Sequence, residues 1–436
     1  MDRHHEAVIV QALRTPVGKY GGILKDIRVD DLSALVLAFL VERANVDPQL
    51  VEDVFWGCAN QAGEDNRNLA RMALLLAGFP HSVPGTTINR LCGSSLEAIV
   101  QAARAIWSGD NEIVIAGGAE SMTRSPFAMA KNVSGVPLYG NLTAYDTALG
   151  WRFPNPKMAK MFPLESMGET AENVASKYSI SRIDQDQFAL RSHRLAVDAQ
   201  SRFAEEIVPV DIPVSRKRDS ARQKDVSTLT ASTNTIESLS ADARYKVAGD
   251  RSYEVTRIDE GPRSDTTIEK LAALKPVFRE NGSVTAGNSS SLNDGAAGII
   301  VMSHEKSKSL GVKPIARIVA SGVAGVDPRY MGIGPVPATN AALRRANLKL
   351  EDIGLFELNE AFAAQSLAVI RELSIDEKIV NVNGGAIALG HPLGCSGARI
   401  ATSLVYEMRR RNARYGVAAM CIGVGQGIAL IVENME

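Results

Sequence analysis

Cysteine is scarce. The 436-residue chain has four, Cys58, Cys92, Cys395 and Cys421. None forms a C-x-x-C pair, and their spacing fits neither a zinc site nor a disulfide framework. Reduced thiols in a reducing compartment are the simplest reading. Charge of one sign is lacking too: a formal net charge of −1 gives no field to gather nucleic acid or an anionic membrane. No apolar run approaches the ~20 residues that a membrane span needs. Met1 to Glu6 leads straight into the strand-like Ala7-Val8-Ile9-Val10 with no signal or transit pattern, and Val432 to Glu436 carries no peroxisomal or retention tripeptide. The expectation is a cytoplasmic protein that binds neither nucleic acid nor membrane. Histidine is also rare, six in all. Only His391, in Leu389-Gly390-His391-Pro392-Leu393-Gly394, is hemmed by glycines and a proline.

What is present suits a soluble globular protein. Hydrophobic content of 45% and charged content of 22% are ordinary, and 436 residues call for more than one core. Through residue ~120 strand and helix signals alternate, as in a layered α/β domain. Val8–Val10, Val51–Trp56 and Glu112–Gly118 read as strands; Asp31–Val46, Asn66–Ala77 and Cys92–Trp107 read as helices. The C-terminal third repeats the plan, with strands at Leu355–Leu358 and Gly416–Gly423 and helices at Ala361–Leu373 and Ser396–Arg410. The spacing from Cys92 to Gly117 equals that from Gly394 to Ala419. That points to a duplicated α/β unit, although such alternation also recurs by chance. The expected division is an N-terminal half over 1–121, completed by about 293–313, a loop or cap region over 122–292, and a C-terminal half over 314–436. Within the cap, Lys217 to Tyr253 is polar, Ser/Thr-rich and weakly periodic, which predicts an exposed loop.

Cys92 carries the chemistry. It follows Thr87-Ile88-Asn89-Arg90-Leu91 and precedes the helical pattern, so its sulfur faces the first free N–H groups of a helix. That positive end favours thiolate over thiol, as a nucleophile requires; a buried cysteine acting as a small hydrophobe is the alternative. His391 could take the thiol proton. Cys421 could move a second proton, and the glycines beside it free N–H groups for an oxyanion. Taken alone, each has a plainer reading: His391 a turn histidine, Asn359 a helix N-cap, Gly423 and Gly425 a closing turn.

Six motifs in order, Asn89-Arg90-Leu91-Cys92-Gly93-Ser94, Ala116-Gly117-Gly118-Ala119-Glu120-Ser121-Met122, Thr285-Ala286-Gly287-Asn288-Ser289-Ser290, Asn359-Glu360-Ala361-Phe362-Ala363, Gly390-His391-Pro392 and Cys421-Ile422-Gly423, resemble the thiolase family across essentially the whole chain. The run from Gly57-Cys58-Ala59-Asn60 to Asn68, with Gly150-Trp151-Arg152-Phe153, is most similar to its 3-oxoadipyl-CoA members. The resemblance implies the thiolase fold, two similar α/β halves layered α-β-α-β-α with an inserted loop domain. It implies that Cys92 becomes acylated, His391 activates it, Cys421 exchanges the proton with the acetyl-CoA carbanion, Asn359 holds a water beside His391, and the N–H groups of Cys92 and Gly423 form an oxyanion hole. It places Ser290, Ala286, Ala361, Phe362 and Met331 along the coenzyme A tunnel and Arg263 beside the adenine, a position that equally suits a solvated surface charge. Coenzyme A would be co-substrate, with no metal or other cofactor, and the assembly a homodimer or homotetramer.

Departures from the family pattern are Ser166 where many biosynthetic members have histidine, which weakens an acetoacetyl-CoA assignment, Ser95 and Ser291 where glycine is frequent, and Val424 within the final glycine run. Arg152 is a candidate for meeting a distal carboxylate, by charge. The expected activity is thiolysis of 3-oxoadipyl-CoA to succinyl-CoA and acetyl-CoA. Weighed against it are an acetoacetyl-CoA or medium-chain 3-ketoacyl-CoA thiolase of fatty acid β-oxidation, a condensing synthase, which Cys421 argues against, and a catalytically silent CoA or lipid carrier, which would lack one of the acid–base residues.

Overall fold

The computed structural model describes residues 5–61, 63–131, 141–213 and 253–436. Its centre is a ten-stranded sheet. Nine strands form its path: β1 (Ala7–Arg14), β2 (Asp53–Gly57), β3 (Thr86–Ile88), β4 (Ile113–Ser121), β5 (Asn293–Ser303), β6 (Ala316–Gly325), β7 (Ile353–Leu358), β8 (Tyr415–Ile422) and β9 (Gln426–Asn434). They run in the order β7-β8-β9-β6-β1-β5-β4-β2-β3, and Gly18–Lys19 adds to β5. The order mirrors itself about β1 and β6. On each side an antiparallel run (β1-β5-β4, β6-β9-β8) passes into parallel neighbours (β2, β3 and β7). The sides meet in only two residue pairs, Val8 with Arg317 and Ile9 with Ala316.

Helices cover both faces. The labelled ones are α1 (Val29–Ala44), α2 (Leu69–Leu76), α3 (Ser94–Ser108), α4 (Met167–Lys177), α5 (Arg182–Asp198), α6 (Pro335–Ala346), α7 (Ala363–Leu373) and α8 (Leu393–Arg411). One apolar core joins Leu96, Ile99 and Ile106 of α3 and Ile400, Leu404 and Met408 of α8 to strands of both halves, so these helices form the middle layer. A second core packs α1 and α2 on the outer face of the N-terminal half. A third packs α6 and α7 on the C-terminal half. Five layers result, α-β-α-β-α, because each sheet half has two apolar faces to bury.

Local chemistry sets the ends. Helix α2 starts at Leu69, three residues later than its periodicity suggests, because Asn68 caps it and Asn66 and Arg67 lie in the left-handed region. Helix α8 ends at Asn412 (φ 52°) after Arg409, Arg410 and Arg411, cations that suit the negative end of its dipole. Strands β6 and β9 and helix α6 were not anticipated from sequence. In the middle region α4 and α5 pack beside α7, and Val210–Pro213 pairs with Tyr253–Thr256. The loop expected over 217–253 lies outside the described residues except for Tyr253, which begins that strand.

The sheet positions the site through one close approach. A Cβ at Gly118 in β4 would lie 2.2 Å from the Gly394 carbonyl at the start of α8. Gly118→Ala must therefore push α8 off β4, at a cost of about 1–3 kcal/mol. The check is the denaturation midpoint, which should fall; a midpoint equal to wild type would show that α8 is free to shift.

Candidate active site

Cys92 sits on the turn between β3 and α3. Leu91 is left-handed (φ 48°), held by its N–H to Asn89 Oδ1 at 2.9 Å and by its carbonyl, which accepts from Ser94 Oγ at 2.6 Å. Such a conformation in a branched residue persists only when its surroundings fix it. It aims the sulfur at the end of β8, where the Gly423 and Cys92 N–H groups lie near enough to favour its ionised form. Burial raises the Cys92 thiol to about 11 against the pull of these donors, with Glu120 adding to the rise. The thiolate expected from the helix end is therefore not the resting form: desolvation outweighs the helix terminus. A buried thiol needs a base at the moment of reaction.

Cys421 lies in β8; burial raises its thiol well above the ordinary range, and the nearby Cys92 adds to the rise. It packs with Ala171, Val284, Met331, Ala361 and Phe362, against Met167. Three residues expected along the tunnel thus share one apolar wall with Cys421. Gly423 faces Leu91 Cδ1 at 3.5 Å and Met167 Sδ at 3.6 Å from its Cβ position, ordinary contacts that leave its N–H, not its size, as the functional feature.

His391 is positioned by three partners. Its N–H donates to Asn293 Oδ1 at 2.9 Å. Gly390 before it takes φ 109°, and a Cβ there would lie 2.3 Å from Asn293 Cγ, so only glycine fits. Its ring Nδ1 lies 2.6 Å from Ser396 Oγ, whose hydroxyl donates to the Pro392 carbonyl at 2.9 Å. With that hydroxyl proton committed, Nδ1 donates to Ser396 and Nε2 keeps its lone pair, the tautomer a base requires. Burial and the nearby Arg399 lower His391 to about 3, so the ring is neutral at rest. Asn359 Nδ2 lies 3.4 Å from Nε2 and 3.5 Å from Nδ1, beside the ring, not in line with either nitrogen. Asn359 Oδ1 is buried without a hydrogen-bond partner among the described residues.

The loops carrying these groups are braced by carboxylates that sequence reading did not single out. Glu120 accepts N–H bonds from Ala59, Asn60 and Gly394 at 2.9, 3.1 and 2.8 Å, and burial raises it to about 7. Glu360 accepts from Ser192 Oγ, Asn381 Nδ2 and the Ile387 N–H at 2.6, 2.8 and 3.1 Å. Both lie inside motifs already quoted, but nothing in sequence separates a bracing carboxylate from a reacting one. Ser396, five residues after His391, was missed for the same reason. The three serine departures each have a bond: Ser95 Oγ accepts the Ala398 N–H at 2.9 Å, tying α3 to α8; Ser291 Oγ donates to Asn293 Oδ1 at 2.9 Å; Ser166 caps α4.

A cleft of about 440 Å³ is lined by Lys19, His193, Arg263, Lys270, Ala286 and Ile387 among others. Lys270 is paired with Asp265, whereas Lys19 and Arg263 have no side-chain ion pair among the described residues. Burial lowers His193, whose Nδ1 accepts the Arg263 N–H, to about 4. Arg263 and Ala286 thus line one cleft, while Ser290 donates its hydroxyl to the Ala361 carbonyl at 3.0 Å. Through Ser290–Ala361 and the Ser289–Phe362 bridge the cleft adjoins the wall of Cys421. Arg152 donates to the Thr147 carbonyl at 3.0 Å, and nothing places it beside the thiols. Chemically the set offers a nucleophile, a neutral base, a second protonated thiol and converging N–H donors, next to a cationic cleft.

Comparison with known proteins gives the family. The model "Thiolase, N-terminal domain" matches residues 7–250 and 244–305, and "Thiolase, C-terminal domain" matches 312–434. The 3-oxoadipyl-CoA/3-oxo-5,6-dehydrosuberyl-CoA thiolase of Escherichia coli is 51% identical, covering 99% of this chain and 100% of that protein. A beta-ketoadipyl-CoA thiolase of Acinetobacter baylyi is 48% identical over 98% and 99%. Among solved structures, the Bacillus anthracis acetyl-CoA acetyltransferase superposes with a TM-score of 0.85 at 43% identity, covering 99% of each chain. Human mitochondrial 3-ketoacyl-CoA thiolase gives 0.86 at 38%, covering 99% and 100%.

The raised thiol makes a directional prediction. The reactive thiolate fraction grows about tenfold per pH unit below the pKa, so iodoacetamide should alkylate Cys92 slowly at pH 7 and ever faster up to pH 10. A rate that levels off below pH 8 would mean a thiolate at rest.

Proposed function

The chain belongs to the thiolase family, and from that premise we propose that it cleaves 3-oxoadipyl-CoA with free coenzyme A, giving succinyl-CoA and acetyl-CoA. The carrying observation is the convergence of the Gly423 and Cys92 N–H groups on the Cys92 sulfur, with Cys421 alongside. As the S–C bond forms at the 3-keto carbon, the Cys92 proton passes to His391 Nε2. With a neutral thiol and a neutral imidazole, transfer accompanies attack and does not precede it. The N–H groups that hold the sulfur lie beside the new tetrahedral centre and stabilise its oxyanion. Cleavage of the C2–C3 bond sends its electron pair to the acetyl-CoA enolate, which takes a proton from Cys421. The raised pKa of Cys421 keeps that proton available in the cleavage direction. Free coenzyme A returns a proton to Cys421, and its sulfur takes the acyl group from Cys92, which leaves as thiolate and recovers its proton from His391 Nε2.

Asn359 Oδ1, buried and unpartnered among the described residues, accepts from a water that donates to the thioester oxygen, and His391 Nε2 donates to the same oxygen once it holds the Cys92 proton. Lys19 and Arg263 supply the cations that a phosphate-bearing co-substrate requires, with no metal or other cofactor taking part. The choice of 3-oxoadipyl-CoA rests on the names of the relatives at 48–51% identity and on Ser166, which caps α4 where an acetoacetyl-specific site would present histidine. The same reading makes the enzyme a cytoplasmic homodimer or homotetramer of aromatic-compound breakdown. Among the described residues no helix is long and apolar enough to cross a membrane, and all four cysteines are free, as a reducing compartment favours.

The test is CoA-dependent cleavage of 3-oxoadipyl-CoA beside acetoacetyl-CoA and 3-oxohexanoyl-CoA. The diacid should turn over fastest, and Cys92→Ala should lose nearly all activity; equal turnover of the aliphatic pair with none on the diacid would overturn the substrate, and an active Cys92→Ala would overturn the mechanism.

A further inference from the structure

Glu357 and Arg399 are buried ionisable groups with no part in the chemistry above. Glu357 is the next-to-last residue of β7, two before Asn359. Arg399 lies on α8, three residues, or about one turn, beyond Ser396, which holds the His391 ring. The pair spans the seam between the strand that leads to Asn359 and the helix that follows His391. Arg399 NH1 lies 3.6 Å from Glu357 Oε2, with the side chains 1% and 2% exposed. Neither terminal Arg399 nitrogen nor Glu357 Oε1 has a hydrogen-bond partner among the described residues. Each is therefore the nearest polar compensation the other has across the seam, and burying the Arg399 charge without it is costly.

We propose that Glu357 and Arg399 are a positioning pair, whose contact across the β7–α8 seam sets the separation of Asn359 from His391. The proposal rests on the acyl-transfer reading above. No directed hydrogen bond joins the two side chains themselves: Asn359 sits beside the imidazole at 3.4–3.5 Å. Glu360 already ties the Asn359 loop to the turn before His391, and the Glu357–Arg399 pair lies one short step from each group along its own element. Burial raises the Glu357 carboxyl to about 8, with Arg399 pulling against the rise and Glu206, Glu360 and Glu407 adding to it. Arg399 also bears on His391 and disfavours the imidazolium, so its removal would alter the base as well as its place.

The experiment compares Glu357→Gln, Arg399→Lys and the double variant Glu357→Gln/Arg399→Met, measuring kcat, KM for coenzyme A, thermal unfolding, and the alkylation rate of Cys92 by iodoacetamide. Displacing a reacting group by a fraction of an ångström costs about tenfold to a hundredfold in rate. Glu357→Gln should show that loss in kcat with KM little changed. The double variant removes both charges and so tests the proposal even where a single variant fails to fold. It should unfold near the wild-type temperature and still show low kcat and slow alkylation. Wild-type kcat and alkylation in a folded double variant would overturn the proposal. Wild-type enzyme without thiolysis would instead sink the acyl-transfer reading, while the alkylation rates, which need no substrate, still decide the pair.

Discussion

The site depends on two helices starting in the same buried place from opposite halves of the chain. Helix α8 begins against β4, where Gly394 and Gly118 meet with no room for a side chain, and Glu120 clamps the Gly394 N–H from below. Helix α3 begins beside the end of β8, where a Cβ on Gly93 would meet Ile422 at 2.6 Å. Each half therefore inserts the start of its central helix against the other half's sheet. Enclosing them in the middle layer excludes water. That exclusion raises both thiols, lowers the histidine, and gives the fixed N–H donors their leverage.

Burial is thus both the cost and the means of the chemistry. A thiol near pKa 11 and an imidazole near 3 form no ion pair at rest, so the enzyme holds a neutral, unreactive pair until an acyl thioester arrives. The bracing groups do what the reacting groups cannot. Ser396 fixes a tautomer, Asn293 and Gly390 fix the backbone, and Glu360 ties the Asn359 loop to α5 and to the turn before His391. The same logic explains Ser95: its hydroxyl takes an N–H of α8 and stitches the two central helices together.

Much of this was legible in the chain. The strand–helix alternation and the equal spacing from Cys92 to Gly117 and from Gly394 to Ala419 follow from the mirrored halves, and Cys92, Cys421 and Gly423 do meet. What sequence could not supply was environment. A helix start argues for a thiolate, but only three-dimensional enclosure shows that desolvation wins. Strands β6 and β9 are apolar runs without a distinctive period, and helix α6 opens on Pro335-Val336-Pro337, which reads as a breaker until its first turn is seen. Ser290 illustrates the same limit. The residue was found, but its hydroxyl is engaged by Ala361.

The most direct measurement is the mass of the enzyme's cysteine peptides after brief mixing with 3-oxoadipyl-CoA in the absence of free coenzyme A. The account predicts one succinyl group on the peptide carrying Cys92 and none on those carrying Cys58, Cys395 or Cys421. An adduct on any other cysteine, or acetyl-CoA release with Cys92 unmodified, would contradict it.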